Sequence, residues 1–124
     1  MLRPILINTL HCHFFAVCDG HGINGKQVSS FLKKQLPKAI KHSLAKIDTS
    51  FLTNKNYKNE NSNTTEIIDC MVSAFFETND ELHKQPFDVR FSGSTCISVF
   101  LIGERIFWAN VGDSRGILVR INKL

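Results

Sequence analysis

The apolar run Phe14-Phe15-Ala16-Val17 ends abruptly at Asp19-Gly20-His21-Gly22, and Ile23-Asn24-Gly25 follows. A short apolar run closed by Asp-Gly reads as a buried strand whose tip carries a carboxylate into a turn. The two flanking glycines let the backbone take a tight path and come close to a ligand. His21 is then held beside a carboxylate and exposed backbone carbonyls, the oxygen donors that hard divalent cations take. A histidine at the rim of such a site can hold or deliver a proton near neutral pH. Alone, the tetrapeptide reads better as a Gly-rich turn with a solvated Asp and His. Its meaning depends on what the rest of the chain places beside it.

The chain has 124 residues, room for one small domain, and its 43% hydrophobic content can supply a core. Ten phenylalanines against one Trp and one Tyr favour burial over a stacking surface. The net charge is +4, with lysines gathered at Lys33, Lys34, Lys38, Lys41 and Lys46 and again at Lys55 and Lys58. No aromatic residue interleaves with the lysines of 33–46 and a single one, Tyr57, lies between Lys55 and Lys58, so a solvated helix face and a polar loop explain them better than nucleic-acid binding does. The four cysteines, Cys12, Cys18, Cys70 and Cys96, lack paired metal-site spacing. Cys18, Cys70 and Cys96 sit in apolar runs, where free thiols pack as small hydrophobes, which suits a reducing intracellular setting, cytoplasmic or nuclear. His11-Cys12-His13 offers three ligand types in a row, but adjacent residues on an extended strand point to opposite faces and converge poorly on zinc. Pro4 and Asn8 interrupt the apolar N-terminus, which lacks a signal-peptide pattern, and no stretch approaches the length of a membrane span.

Residues 14–18 read as a strand. A helix is expected from about Gln27, with Val28, Phe31, Leu32, Leu36, Ala39, Ile40, Leu44 and Ile47 at helical spacing and a break or kink at Leu36, before Pro37. Residues 48–63, rich in Asn, Lys, Thr and Ser, read as a long surface loop. Asn63 with Glu66 fits the capped start of a second helix, which Pro86 ends at the latest. From Thr95 the period changes. Residues 95–102 and Arg105–Val111 read as a hairpin around Gly103-Glu104, of the type II′ kind, and residues 116–120 as a further return strand. The expected fold class is α+β, one antiparallel sheet with two helices on one face.

Two further segments change the weight of the first. Ser92-Gly93-Ser94-Thr95 opens the later strand, and Ala109-Asn110-Val111-Gly112-Asp113-Ser114-Arg115 closes its partner. With Phe14-Phe15-x-Val17-x-Asp19-Gly20-His21-Gly22, the chain resembles the type 2C, metal-dependent protein serine/threonine phosphatases, over roughly residues 14–120. Three long segments in the family's order are far more specific than any short motif. The resemblance implies a partial β-sandwich and a phosphorylated protein substrate, with no nucleic-acid or membrane partner. Oligomeric state stays open. It also implies manganese or magnesium, two ions in a complete domain and a third at Asp113. By resemblance Asp19 bridges the two metals, the Gly20 carbonyl binds one of them, and His21 protonates the leaving serine or threonine oxygen. Ser92, Gly93, Ser94 and Thr95 read as structural, and Arg115 as a tie for its turn.

The departures are as informative. The family places a Glu-Asp pair followed by Arg upstream of its Asp-Gly-His-Gly, yet no Asp or Glu precedes Asp19. Arg3 stands in an unrelated context. The family's later metal aspartates, in Asp-Gly-x-x-Asp and Asp-Asn segments, have no counterpart before Leu124. The expectation is therefore an incomplete domain, residues 1–124, poorly active as it stands and missing the upstream strand of its first sheet. The alternative is a non-catalytic remnant acting as a binding or regulatory module.

Overall fold

The computed structural model describes residues 2–7, 10–47, 60–102 and 105–121. In chain order the elements are β1 (Leu2–Ile7), β2 (Leu10–Val17), β3 (Gly20–His21), α1 (Gly25–Leu44), α2 (Glu60–Leu82), β4 (Gly93–Ser94), β5 (Cys96–Ile102) and β6 (Arg105–Val111). Four strands form an antiparallel sheet in the order β1-β2-β5-β6, and β3 pairs β4 separately.

The period-2 pattern of the strands decides where the helices go. Burial alternates strictly along β5, so Cys96, Ser98, Phe100 and Ile102 face one side. Phe14 lies opposite Phe100, and Phe100 opposite Phe107. On that same side Leu36, Ile40 and Leu44 of α1 and Ile67, Met71 and Ala74 of α2 join Cys12, Phe14, Ala16, Cys96, Phe100 and Phe107 in one core. Both helices therefore cover a single face of the sheet, the α+β arrangement expected.

Four local expectations are corrected. First, α1 is continuous through Pro37 and begins at Gly25, two residues before the expected start. An interior proline forfeits one helix hydrogen bond and costs about 3 kcal/mol. Here Leu36, Ile40 and Leu44 are almost fully buried on either side of it, and Pro37 is itself buried, so packing outweighs the local preference. Second, α2 starts at Glu60, not at Asn63. The expected loop thus loses residues 60–63, and its remainder, 48–59, lies outside the described residues. Its C-terminal end at Leu82, ahead of Pro86, is as expected.

Third, the flank of β2 is not bare. β1 pairs along it, with Leu2 opposite Phe15 and Ile7 opposite Leu10. Pro4 sits on this edge strand, where a missing ladder donor is tolerated. Fourth, residues 116–120 are not a strand. A Cβ added at Gly116 would collide with the Trp108 indole and lie 2.9 Å from Ile97 Cδ1. Trp108 and Ile97 point away from the helices, so the chain leaves β6 across the outer face of the sheet. It does not turn back along the edge of β6. Ile117, Leu118, Val119 and Ile121 are left exposed. Gly103-Glu104 lies outside the described residues, though Ile102 faces Arg105 as a two-residue connection requires.

Candidate metal centre

The first motif is folded onto the second by main-chain pairing. Gly20 lies opposite Ser94 and His21 opposite Gly93. The Thr95 N–H donates to the Asp19 carbonyl at 2.9 Å. In return the Asp19 N–H donates to Thr95 Oγ1 at 3.2 Å. One residue thus takes both backbone groups of Asp19, and the carboxylate stands at an exposed tip.

A second hydroxyl fixes the far end of the motif. The Asn24 N–H donates to Ser92 Oγ at 3.0 Å, and Asn24 Nδ2 donates to the Asp88 carbonyl at 2.8 Å. Asn24 is the N-cap of α1, but its side chain serves this loop and makes no cap hydrogen bond to the helix. Between these anchors Gly22 takes φ +79°, and a Cβ there would strike the Phe91 carbonyl. Only glycine meets both conditions without strain. Ser92 and Thr95 are therefore structural, as their small hydroxylated side chains suggested.

The third motif is tied to the same point. Thr95 Oγ1 and Ser114 Oγ are 2.7 Å apart. Asn110 Nδ2 donates to the Ser114 carbonyl at 2.8 Å, closing the turn that carries Asp113. Asn110 and Ser114 make the tie expected of Arg115, which is exposed. Asp19 and Asp113 lie on either side of Thr95, at the same end of the sheet. The His21 imidazole rests over Gly93, where an added Cβ would sit 2.7 Å from Nε2. Asp19, Gly20, His21 and Asp113 are all exposed to solvent.

The oxygen donors at this tip fit manganese or magnesium in kind: two carboxylates, Asp19 and Asp113, and the Gly20 carbonyl. In number they fall short of two such cations. Among the described residues no group of three His, Cys, Asp or Glu side chains converges as a metal cage would require. Charge says the same, since two carboxylates leave two divalent ions half neutralised.

Sequence reasoning treated the cysteines as separate core residues and so missed a pair beside the centre. Cys18 and Cys96 interact, which pushes the Cys18 thiol down and the Cys96 thiol up. All four cysteines are free thiols. A cavity of about 980 Å³ opens between α2 and β6 and reaches the tip, where His21, Ser92, Gly93 and Asn110 line it. On its α2 side Ile68, Met71, Val72 and Phe75 line it, so that part is a gap in hydrophobic packing.

The protein phosphatase 2C family model matches residues 8–123. Among curated proteins the chain is 37% identical over 106 residues to a "Probable protein phosphatase 2C 35" of Arabidopsis thaliana, covering 86% of this chain and 26% of that protein. It is 29% identical over 123 residues to a "Probable protein phosphatase 2C 55" of Oryza sativa, covering 98% and 28%. It is 29% identical over 115 residues to a "Protein phosphatase 1L" of Bos taurus, covering 91% and 29%. The chain belongs to the protein phosphatase 2C family. It spans about a quarter of the length of these relatives.

Proposed function

We propose that this chain supplies the Asp19 side of a metal-dependent protein serine/threonine phosphatase centre, acting on phosphoserine and phosphothreonine. The observation that carries the proposal is the Thr95 node, which brings Asp19 and Asp113 to one end of the sheet in a chain of this family. Asp19 and the Gly20 carbonyl would hold manganese or magnesium, and Asp113 a weaker ion. Bound there, a pair of such ions supplies a water activated for attack on phosphorus. His21, exposed at the rim and backed by Gly93, gives a proton to the departing serine or threonine oxygen. The partner is a phosphorylated protein. Free thiols fit the cytoplasmic or nuclear setting proposed for it. Among the described residues no helix is long and apolar enough to cross a membrane.

With Asp19 and Asp113 the carboxylates placed at the tip among the described residues, the chain alone should bind manganese weakly and turn over slowly. The test is a manganese titration of phosphatase activity on the chain and on the longest reading frame that contains it. Turnover in the longer protein that vanishes in Asp19→Asn supports the reading. Robust metal-dependent turnover by the chain alone would show that two carboxylates suffice. The second reading, a non-catalytic binding or regulatory module, rests on the absence of a three-ligand cluster among the described residues. It is favoured if the longer protein binds manganese tightly and hydrolyses nothing.

A further inference from the structure

Cys18 and Cys96 are brought together by strand register. β2 and β5 pair antiparallel with Val17 opposite Ile97 and Ala16 opposite Ser98. Continuing that register sets Cys18 opposite Cys96 and Asp19 opposite Thr95. The Thr95 N–H to Asp19 carbonyl bond makes the latter a hydrogen-bonded pair. Opposed residues alternate along an antiparallel ladder, so Cys18 and Cys96 occupy a non-hydrogen-bonded position. There the Cα atoms approach to about 4.5 Å and both side chains leave the same face. That separation lies within the span a disulfide bridges, roughly 4.4–6.8 Å. The two thiols are close enough that each perturbs the other. Their exposure differs, since Cys96 is buried and Cys18 only partly so.

We propose that Cys18 and Cys96 form a redox-responsive pair that closes into a cross-strand disulfide when the protein meets a hydroperoxide. The step balances with hydrogen peroxide as the oxidant. The Cys18 sulfur attacks one peroxide oxygen, the O–O bond breaks and an S–O bond forms. The departing hydroxide takes the thiol proton as water. The Cys96 sulfur then attacks the Cys18 sulfur, the S–O bond breaks and the S–S bond forms, and a second water leaves with the Cys96 proton. The two thiols lose two electrons and the peroxide gains them. Partial exposure makes Cys18 the sulfur that peroxide reaches, and burial keeps Cys96 as the one that resolves it. The closed bond ties β2 to β5 at the position preceding Asp19 and following Thr95, and stiffens the tip that presents the Asp19 carboxylate. The proposal stands independently of the phosphatase reading.

The test is oxidation of the 124-residue chain with equimolar hydrogen peroxide, followed by non-reducing peptide mapping. Parallel samples are native and in concentrated guanidinium. Under native conditions the dominant product should lack two hydrogens and link the Cys18 and Cys96 peptides. In guanidinium several pairings among the four cysteines should appear. Cys18→Ser and Cys96→Ser should each abolish the native product, whereas Cys12→Ala with Cys70→Ala should keep it. The bond closes a loop of many residues, so the oxidised chain should melt more than about 5 °C above the reduced one. A native product distribution matching that in guanidinium would overturn the proposal. So would a Cys18 carried on to sulfinic acid with Cys96 unlinked.

Discussion

Replacing Thr95 by valine removes one oxygen and keeps the side-chain shape. Two hydrogen bonds go with it: the Asp19 N–H loses its acceptor at 3.2 Å and Ser114 Oγ loses its partner at 2.7 Å. A net intramolecular hydrogen bond contributes about 1 kcal/mol, and a donor left unmet under partial burial adds about 1–3 kcal/mol. Asp19 is exposed, so water can recover its N–H and the cost falls at the lower end. Ser114 is half-buried and recovers less. Thr95→Val should therefore destabilise the chain by about 1–3 kcal/mol. For a domain of this size that lowers the melting midpoint by roughly 5–10 °C. The Thr95 N–H to Asp19 carbonyl bond survives the change, so the sheet should persist and far-ultraviolet circular dichroism should look native.

Thr95→Ser separates the hydroxyl from the methyl. It keeps Oγ and should recover most of the loss, apart from the methyl that packs beside Gly112. The assay is urea or thermal denaturation of the three proteins under one buffer. If Thr95→Val melts with the parent, or if Thr95→Ser is as unstable as Thr95→Val, the hydroxyl is not the node that joins the motifs. The three motifs would then be held together by strand pairing alone.

Gly93→Ala puts a methyl against the His21 ring, 2.7 Å from Nε2, so the imidazole must turn away. In an active protein carrying this chain, it should slow hydrolysis of phosphothreonine peptides several-fold more than that of p-nitrophenyl phosphate, whose leaving group needs no proton. Arg90 holds the Asp88 carboxyl down, at about 2 against the ordinary 3.8, by side-chain and backbone hydrogen bonds. A depressed carboxylate contributes stability that is present above pH 3.8 and lost as pH falls towards 2. Arg90→Gln should raise the Asp88 pKa only part of the way in a carbon-detected NMR titration, because the backbone N–H at position 90 still donates to Asp88 Oδ1. Val17, Ile106 and Trp108 are exposed on the outer sheet face. The isolated chain should therefore unfold at low temperature or self-associate at micromolar concentration, and a sharp reversible monomeric transition would refute this.

What was legible in the sequence follows from which interactions are local. β5 and β6 could be read because apolar runs bounded by turn residues leave few alternatives. The core face of α1 was equally plain from the spacing of Val28, Leu36, Ile40 and Leu44. β1 was hidden because Pro4 argues against a strand, and only the knowledge that it lies on an edge removes the objection. Pro37 misled for the opposite reason: its penalty is local, whereas the burial that overrides it comes from α2 and the sheet. Residues 116–121 have strand-like composition, yet a strand exists only if a partner accepts its hydrogen bonds, and Gly116 carries the chain across Trp108 instead.

The site divides along the same line. Asp19, Gly20, His21 and Asp113 were nominated by motif, and nothing in their own segments shows that they share one end of a sheet. That depends on Thr95, whose partners Asp19 and Ser114 are far away along the chain. The pairing of Cys18 with Cys96 also needs the β2–β5 register, and one residue of slip would send the two thiols to opposite faces. Register is fixed here by the alternation that buries Phe14 and Phe100 together, so the core and the site are set by one constraint. The tip can therefore be well ordered while much of the apolar surface behind it stays uncovered. Its backbone is held by Ser92, Thr95 and Asn110, through hydrogen bonds made within the tip itself. The shortage of carboxylates at the tip among the described residues and the exposure of Val17, Ile106 and Trp108 on the outer sheet face should therefore each respond to their own substitutions.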